Sequence, residues 1–87
     1  MNLRLFVCRS EEEAELLELL EESSALVKTS VRFAFSPNSG DEVLLRISDP
    51  VLTVIYGEHR VYVVKIVRRV WLEGQLILVG FIKSLEM

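Results

Sequence analysis

The sequence predicts an α+β fold in which one N-terminal helix packs on a curved, mostly antiparallel sheet of five to six strands. The 87 residues are 51% hydrophobic and 26% charged, as in a small folded domain. Apolar residues follow helical spacing only in the segment 11–22, whereas most of the remainder alternates as strands do. Short connections favour antiparallel neighbours. We therefore expect residues 1–87 to form a single α+β domain, of order β-α-β-β-β-β-β, whose sheet is either open or rolled towards a barrel.

The chain begins with a strand and then a helix. Residues 2–8 alternate in polarity, which indicates a strand. Ser10 is predicted to cap a helix, because Glu13 three residues later completes a capping box and glutamates fill the first turn. The predicted helix runs from Glu11 to Glu22. Its apolar face comprises Ala14, Leu16, Leu17 and Leu20.

The rest of the chain is predicted to consist of strands and turns. Residues 27–35 alternate cleanly, a polar loop occupies 36–41, and a short strand follows at 43–48. Residues 51–56 are apolar on both faces and predict a central strand. Residues 61–71 and 75–84 form a hairpin, because Glu73-Gly74 is typical of a tight turn. Gly80, inside a strand, indicates a bulge or a close backbone contact. Only the first strand, whose return passes through the helix, has a natural chance of parallel pairing.

This closing hairpin has more apolar surface than one helix can cover. Counted from its turn, Trp71 lies opposite Leu76 and Ile66 opposite Phe81. The face predicted to be core comprises Tyr62, Val64, Ile66, Val70, Ile77, Val79 and Phe81, with Arg68 in its middle. The opposite face is almost as apolar. A twelve-residue helix is about 18 Å long and shields about three or four strands on a single face.

We interpret the second hairpin face as a protein interface, most simply between two copies of the chain, because large exposed apolar patches usually mark interfaces. The predicted contact residues are Val63, Val67, Trp71, Leu76, Leu78 and Ile82. Two alternatives would remove the need for this interface: a hairpin register that differs by one residue, or a sheet that folds over on itself. The predicted function is a small non-enzymatic interaction module, either a homodimer or an accessory subunit.

Nucleic-acid binding is the alternative function. The net charge of −3 conceals an uneven distribution of charge along the chain, since seven of the thirteen acidic residues lie in 11–22. Glu11, Glu15, Glu18 and Glu22 form a ridge that we interpret as solvated, with a basic partner as the alternative. The basic residues predicted to contact nucleic acid are Arg60, Lys65, Arg68 and Arg69. Lys65, Arg69 and Trp71 are expected to share a face, but the acidic pI of about 5.1 and the lack of a recognition motif weaken this hypothesis.

Catalytic, metal and cofactor sites are not predicted. Cys8 precedes a helix N-terminus, which can lower a thiol pKa, but a small buried apolar residue is the favoured interpretation. His59, the only histidine, lies in a predicted turn, and nothing brings it near Cys8. One cysteine and one histidine cannot form a four-ligand zinc site. The sequence lacks a membrane-spanning stretch and a secretory signal, so we expect a cytoplasmic protein without membrane contact. Few amides and an excess of arginine over lysine are consistent with a thermophile.

Overall fold

The computed structural model describes residues 1–18, 25–58 and 61–86. Within them the elements are β1 (Asn2–Cys8), α1 (Glu11–Leu16), β2 (Val27–Arg32), β3 (Glu42–Arg46), α2 (Pro50–Tyr56), β4 (Val61–Leu72) and β5 (Gln75–Leu85). The strands form one sheet of order β2-β1-β5-β4-β3, curled into a half-barrel. Only β1 and β5 pair in parallel. The predicted α+β class, the curved and mostly antiparallel sheet and the parallel pairing of the first strand are confirmed.

The centre of the sheet is occupied by β1 and β5. Leu5 and Val7 are buried on one face of β1, and Phe6 and Cys8 are buried on the other. A strand covered on both faces tolerates this continuous apolar run. β1 is therefore a central strand of the sheet. The alternation of its sequence is equally compatible with an edge strand that is buried on one face.

The prediction of a central strand at residues 51–56 is wrong, because these residues form the helix α2. Asp49 caps it, since its carboxylate accepts a hydrogen bond from the Val51 amide at 2.8 Å. Pro50 occupies the first turn, and Gly57, with a φ of 80°, ends the helix. This Asp-Pro start and glycine stop are typical helix signals, and here they outweigh the β-branched composition. Leu52 alone among the α2 residues is buried.

The first helix is shorter than predicted. Ser10 caps α1 as expected, accepting a hydrogen bond from the Glu13 amide at 3.1 Å. The helix ends at Leu16, because Leu17 already has an extended ψ of 126°. Ala14 and Leu17 are buried, but Leu16 is 72% exposed, so its assignment to the apolar face is wrong. Predicted helix residues 19–22 lie outside the described residues.

Gly80 had indicated a bulge or a close backbone contact in the closing hairpin. The β4–β5 hairpin shifts register at two places, between Val63 and Val64 and between Ile66 and Arg68. Its turn is confirmed: Trp71 pairs with Leu76, and Glu73 and Gly74 both have positive φ, as a type I′ turn requires. Further along, the register shifts between Ile66 and Arg68, with Val67 as the extra residue. Ile66 consequently pairs with Gly80, and the predicted pairing of Ile66 with Phe81 is wrong.

A close backbone approach accompanies this bulge, as the glycine at position 80 had indicated. A Cβ atom at Gly80 would lie 2.4 Å from the carbonyl oxygen of Lys65. That distance is far shorter than a van der Waals contact. The carbonyl oxygen belongs to the backbone and cannot move aside as a flexible side chain can. Only glycine therefore fits beside the shifted strand.

The bulge divides the apolar side chains between two cores on opposite faces of the sheet. The main core comprises Leu5, Val7, Val27, Phe33, Leu45, Ile47, Leu52, Tyr62, Val64, Ile66, Leu76 and Leu78. The helix-side core, beneath α1, comprises Phe6, Cys8, Ala14, Leu17, Ile77 and Val79. The predicted grouping of Tyr62, Val64 and Ile66 with Ile77 and Val79 is thus wrong. An extra residue in one strand reverses the inward and outward positions beyond it.

Replacing Gly80 with alanine is expected to destabilise the fold by about 2–3 kcal/mol, because the new methyl group meets backbone rather than a flexible side chain. Urea denaturation measures this change. Ser84→Ala, on the exposed part of the same strand, is the control and should alter the free energy of unfolding by less than about 0.5 kcal/mol. Equal stabilities of Gly80→Ala and the control would contradict the bulge geometry.

Candidate interaction surface

The structure separates the residues predicted to form one interface. Leu76 and Leu78 are 7% and 0% exposed and belong to the main core, and Ile82 packs against the same core. Val67 packs against the helix-side core, and Val63 is half-buried. Trp71 alone in this set is largely exposed, at 70%. The predicted second face therefore does not exist as one surface, because the bulge at Val67 lies in its middle.

Other large apolar side chains are exposed near Trp71. A groove of about 400 Å³, here called the tryptophan groove, surrounds it. It is lined by Met1, Asn2, Leu3, Ser36, Arg69, Trp71, Gly74, Gln75 and Leu76. Trp71 lies opposite Leu76 in the hairpin, so its ring projects from the main-core face at the end of the sheet. Met1 contributes a second exposed apolar side chain to this groove.

A second groove, here called the edge groove, lies between the segment that follows β2 and the edge strand β3. Its volume is about 500 Å³. It is lined by Arg32, Phe33, Ala34, Phe35, Ser36, Pro37, Asn38, Asp41, Val43, Leu44 and Leu45. Phe35 is 83% exposed and Leu44 is 61% exposed. Ser36 lines both grooves, so they adjoin each other.

Hydrogen bonds attach the loop between the grooves to the bulge. The Arg69 guanidinium donates to Ser36 Oγ at 3.1 Å and to Asn38 Oδ1 at 3.4 Å. The Ser39 hydroxyl donates to the carbonyl of Val67, the bulged residue, at 2.7 Å. The amide of Gly40 donates to the Ile66 carbonyl at 2.7 Å. The loop that separates the grooves is thus positioned by β4 beside its irregularity.

Phe35 and Leu44 were missed by the sequence analysis for different reasons. Phe35 belongs to the predicted strand 27–35, but β2 ends at Arg32, so the alternation no longer applies to it. Leu44 could have been found. Val43 and Leu45 face the main core, which places the intervening leucine of a short strand on the opposite side, where a polar residue is usual.

A separate exposed apolar patch lies on α2. It consists of Val51, Val54 and Ile55, none of which lines either groove. The helix has no charged residue, and its outward side is therefore as apolar as the groove surface. This patch offers a comparison site for experiments on the grooves.

Three of the four basic residues predicted to bind nucleic acid are described by the structure, and these three do not lie together. Lys65 pairs with Glu11 at 3.0 Å on the helix side, and this hydrogen bond and charge raise the pKa of the lysine. Arg68 also reaches α1. Arg69 faces the tryptophan groove on the opposite side, so the prediction that Lys65, Arg69 and Trp71 share a face is wrong. Arg60 lies outside the described residues.

The acidic ridge has partners within the chain. Besides the Lys65–Glu11 pair, Glu13 pairs with Arg9 at 3.1 Å. Glu15 and Glu18 are exposed, as a solvated ridge requires, and Glu22 falls outside the part of the chain described. Two glutamates of α1, of which Glu11 belongs to the ridge, are thus paired with basic residues outside the helix.

Arg68 has a structural role that the sequence did not reveal. Its guanidinium donates to the carbonyl oxygens of Ala14 at 3.2 Å and Leu17 at 2.6 Å. Helix ends leave such carbonyls without intrahelical partners, and a cation there also suits the helix dipole. The bulge turns this arginine towards the helix side, where it caps the short α1.

The variant Arg68→Met is expected to lower the free energy of unfolding by about 1.5–3 kcal/mol, because two backbone carbonyls lose a charged donor. Arg69→Met, at the neighbouring but exposed position, is the matched control and should cost less than about 1 kcal/mol. Urea denaturation compares them. A greater loss in the control would contradict the capping role.

Cys8 has the surroundings of a structural residue. It is 2% exposed and belongs to the helix-side core. Burial raises the pKa of its thiol to about 11, the charge of Glu13 adds to this, and Arg68 and Arg9 oppose it. A thiol that stays protonated at neutral pH is a poor nucleophile. His59, the only candidate base, lies outside the described residues.

The described ranges contain no group of three or more histidine, cysteine or acidic residues that could hold a metal ion. Within those ranges, no helix is both long and apolar enough to cross a membrane.

Alkylation of the folded protein by iodoacetamide is expected to be slow at pH 8 and to rise with an apparent pKa near 11, because the thiol pKa is raised by burial. The urea-unfolded chain is the control, and its reactivity should follow an ordinary thiol pKa of about 8.5. A folded-state pKa at or below that of the unfolded chain would contradict the structural assignment of Cys8.

Comparison with known proteins does not change this description. The chain matches no protein-family model, no curated protein and no solved structure. The candidate surface consequently rests on the geometry of the two grooves and the exposed side chains around them.

Proposed function

We propose that this protein is a small non-enzymatic interaction module that self-associates through the surface formed by its two adjoining grooves. One observation carries the proposal: Met1, Phe35, Leu44 and Trp71 are all exposed there in a domain of 87 residues. Met1 and Trp71 line the tryptophan groove, and Phe35 and Leu44 line the edge groove. Folded monomers rarely leave this much large apolar surface exposed to water. A homodimer, or a subunit of a larger assembly, would cover them.

The composition of this surface suits protein contact. Trp71 and Phe35 are large, rigid side chains of the kind that dominate binding energies when a partner desolvates them. Around them lie neutral polar groups such as Ser36, Asn38 and Gln75, which can form a hydrogen-bonding rim. An apolar centre with a polar rim is the usual anatomy of a stable interface.

The same surface supports nucleic-acid binding less well. Of the predicted bases that the structure describes, Arg69 alone lines a groove, and its guanidinium is already engaged by Ser36 and Asn38. Lys65 and Arg68 are directed to α1. A site that follows the phosphate backbone of a nucleic acid needs several basic side chains along one path. We therefore favour a protein partner, and a cytosolic location is consistent with a single buried thiol.

Sedimentation velocity of the wild type is expected to give about twice the monomer mass of 10.0 kDa, with dissociation on dilution. The double variant Phe35→Ser/Trp71→Ser should weaken association by about tenfold or more, because it removes two exposed aromatic anchors. Neither side chain belongs to a core cluster, so the variant should remain folded by circular dichroism.

The matched control is Val54→Ser, which removes an equally exposed apolar side chain from α2, outside both grooves. It should leave the dimer unchanged. A wild type that stays monomeric at high concentration would refute the proposed function. Dissociation by the control but not by the aromatic variants would assign association to α2 and refute the surface proposed here.

A further inference from the structure

The edge strand β3 has unpaired backbone groups at alternate residues. The backbone of Ile66 on β4 bonds towards the β3 side, as its contacts with Gly40 and Asp41 show. In an antiparallel sheet the backbone N–H and C=O groups of every second residue form their hydrogen bonds with the same neighbouring strand. Val64 and Tyr62 therefore bond to Val43 and Leu45, their register partners. The amides and carbonyls of Glu42, Leu44 and Arg46 consequently point away from the sheet, since β3 is its last strand.

The sequence of this edge is complementary to itself. A two-fold axis through Leu44 places two β3 strands antiparallel, with Glu42 of each copy opposite Arg46 of the other. In this arrangement Glu42, Leu44 and Arg46, whose backbone groups point outwards, are the residues that pair between the two copies. Two oppositely charged pairs flank a central leucine pair, all on one face of the sheet. Opposite charges directly across a ladder stabilise the pairing, whereas like charges oppose it.

The charges at this edge are available for such a contact. Glu42 and Arg46 are exposed, and among the ion pairs of the described residues none involves Arg46. Glu42 contacts Lys83 at 2.6 Å and keeps carboxylate lone pairs for a second cation. The edge groove lies alongside, so the segment that follows β2 leaves room beside the strand.

The other edge of the sheet is protected against the same contact. In β2 the equivalent two-fold axis passes through Ser30 and would place Lys28 opposite Arg32. Both are exposed bases, so self-pairing there would be repulsive. Positively charged side chains on edge strands are a common device against aggregation. β3 instead has a leucine at its centre, a glutamate at one end and an arginine at the other.

We propose that the partner of the edge groove surface is a second copy of this chain, joined through antiparallel β3–β3 pairing centred on Leu44 into a continuous ten-stranded sheet. This inference rests on the proposed function, because it specifies how the self-association occurs. Pairing of exposed strand edges is an established mode of recognition, in which main-chain hydrogen bonds supply the affinity. Here the charges at positions 42 and 46 set its register.

Charge variants test the register directly. Glu42→Arg and Arg46→Glu should each weaken the dimer by about tenfold, because each converts two attractive pairs into two repulsive ones. An equimolar mixture of the two variants should form a heterodimer within about threefold of the wild-type affinity, since both cross-strand pairs are then opposite in charge. The double variant Glu42→Arg/Arg46→Glu should also recover, because the exchange preserves complementarity.

A pair of controls accounts for overall charge. Glu15→Arg and Arg9→Glu change exposed residues outside the strands and give a similar charge difference. Their separate affinities and that of their mixture should stay within about threefold of the wild type. If this pair reproduces the behaviour of the β3 pair, the effect is non-specific and the register is wrong.

A backbone variant tests the same inference without changing charge. Leu44→Pro removes an amide that points outwards and spares the ladder to β4, so the chain should remain folded but lose its dimer. Leu45→Pro removes an amide bonded to β4 and should unfold the strand. A Leu44→Pro protein that still forms the wild-type dimer would overturn the proposal.

The two proposals fail differently. A wild type that is monomeric at all concentrations removes both. A wild-type dimer that resists the β3 variants, yet responds to Phe35→Ser/Trp71→Ser, leaves the proposed function standing and refutes the β3 register alone.

Discussion

The close approach of the Lys65 carbonyl to the backbone of Gly80 determines the arrangement of the rest of the molecule. It accompanies a register shift at Val67, and that shift decides which side chains of the long hairpin face which side. Before the bulge, Ile66 joins the main core. Beyond it, Arg68 turns to α1 and Trp71 turns to the opposite face. A single additional residue thus creates both the anchorage of α1 and the exposed tryptophan.

This division explains how a chain with so little helix covers its sheet. One helix of six residues could not shelter two apolar faces, but curling lets the sheet cover much of its own main core. Leu52 of α2 and Phe33 complete that core from the side. Apart from the α2 patch, the large apolar side chains that remain exposed include those at the open border, where β3 ends the sheet and the edge groove lies. Self-association at this border would bury apolar side chains that a single protomer leaves exposed.

Sequence patterns predicted the parts of the fold that local chemistry determines. The capping box at Ser10, the Glu73-Gly74 turn and the pairing of Trp71 with Leu76 are all as expected. Gly80 indicated a bulge or a close backbone contact, but the extra residue Val67 on the neighbouring strand could not be identified, because alternation continues on both sides of it. For α2, the apolar residues concealed a helix whose cap and stop were visible in Asp49 and Gly57.

The candidate site was predictable only through Trp71. Leu76 and Leu78 were assigned with it because a regular ladder places them on one face, and the fold itself covers them by curling. Curvature depends on long-range packing, for which a single sequence offers no periodic signal. Leu44 was detectable as an apolar residue out of phase in a short strand, but its significance depends on β3 being an edge, which is a property of strand order.

Nuclear Overhauser effects between backbone protons of β4 and β5 measure the register of the hairpin in solution. With the bulge at Val67 we expect contacts of Lys65 with Phe81 and of Ile66 with Gly80, together with Trp71 opposite Leu76. These contacts require an extra residue at Val67. A continuous ladder with Ile66 opposite Phe81 would contradict this arrangement, because Trp71, Leu76 and Leu78 would then share one face with Val63 and Val67.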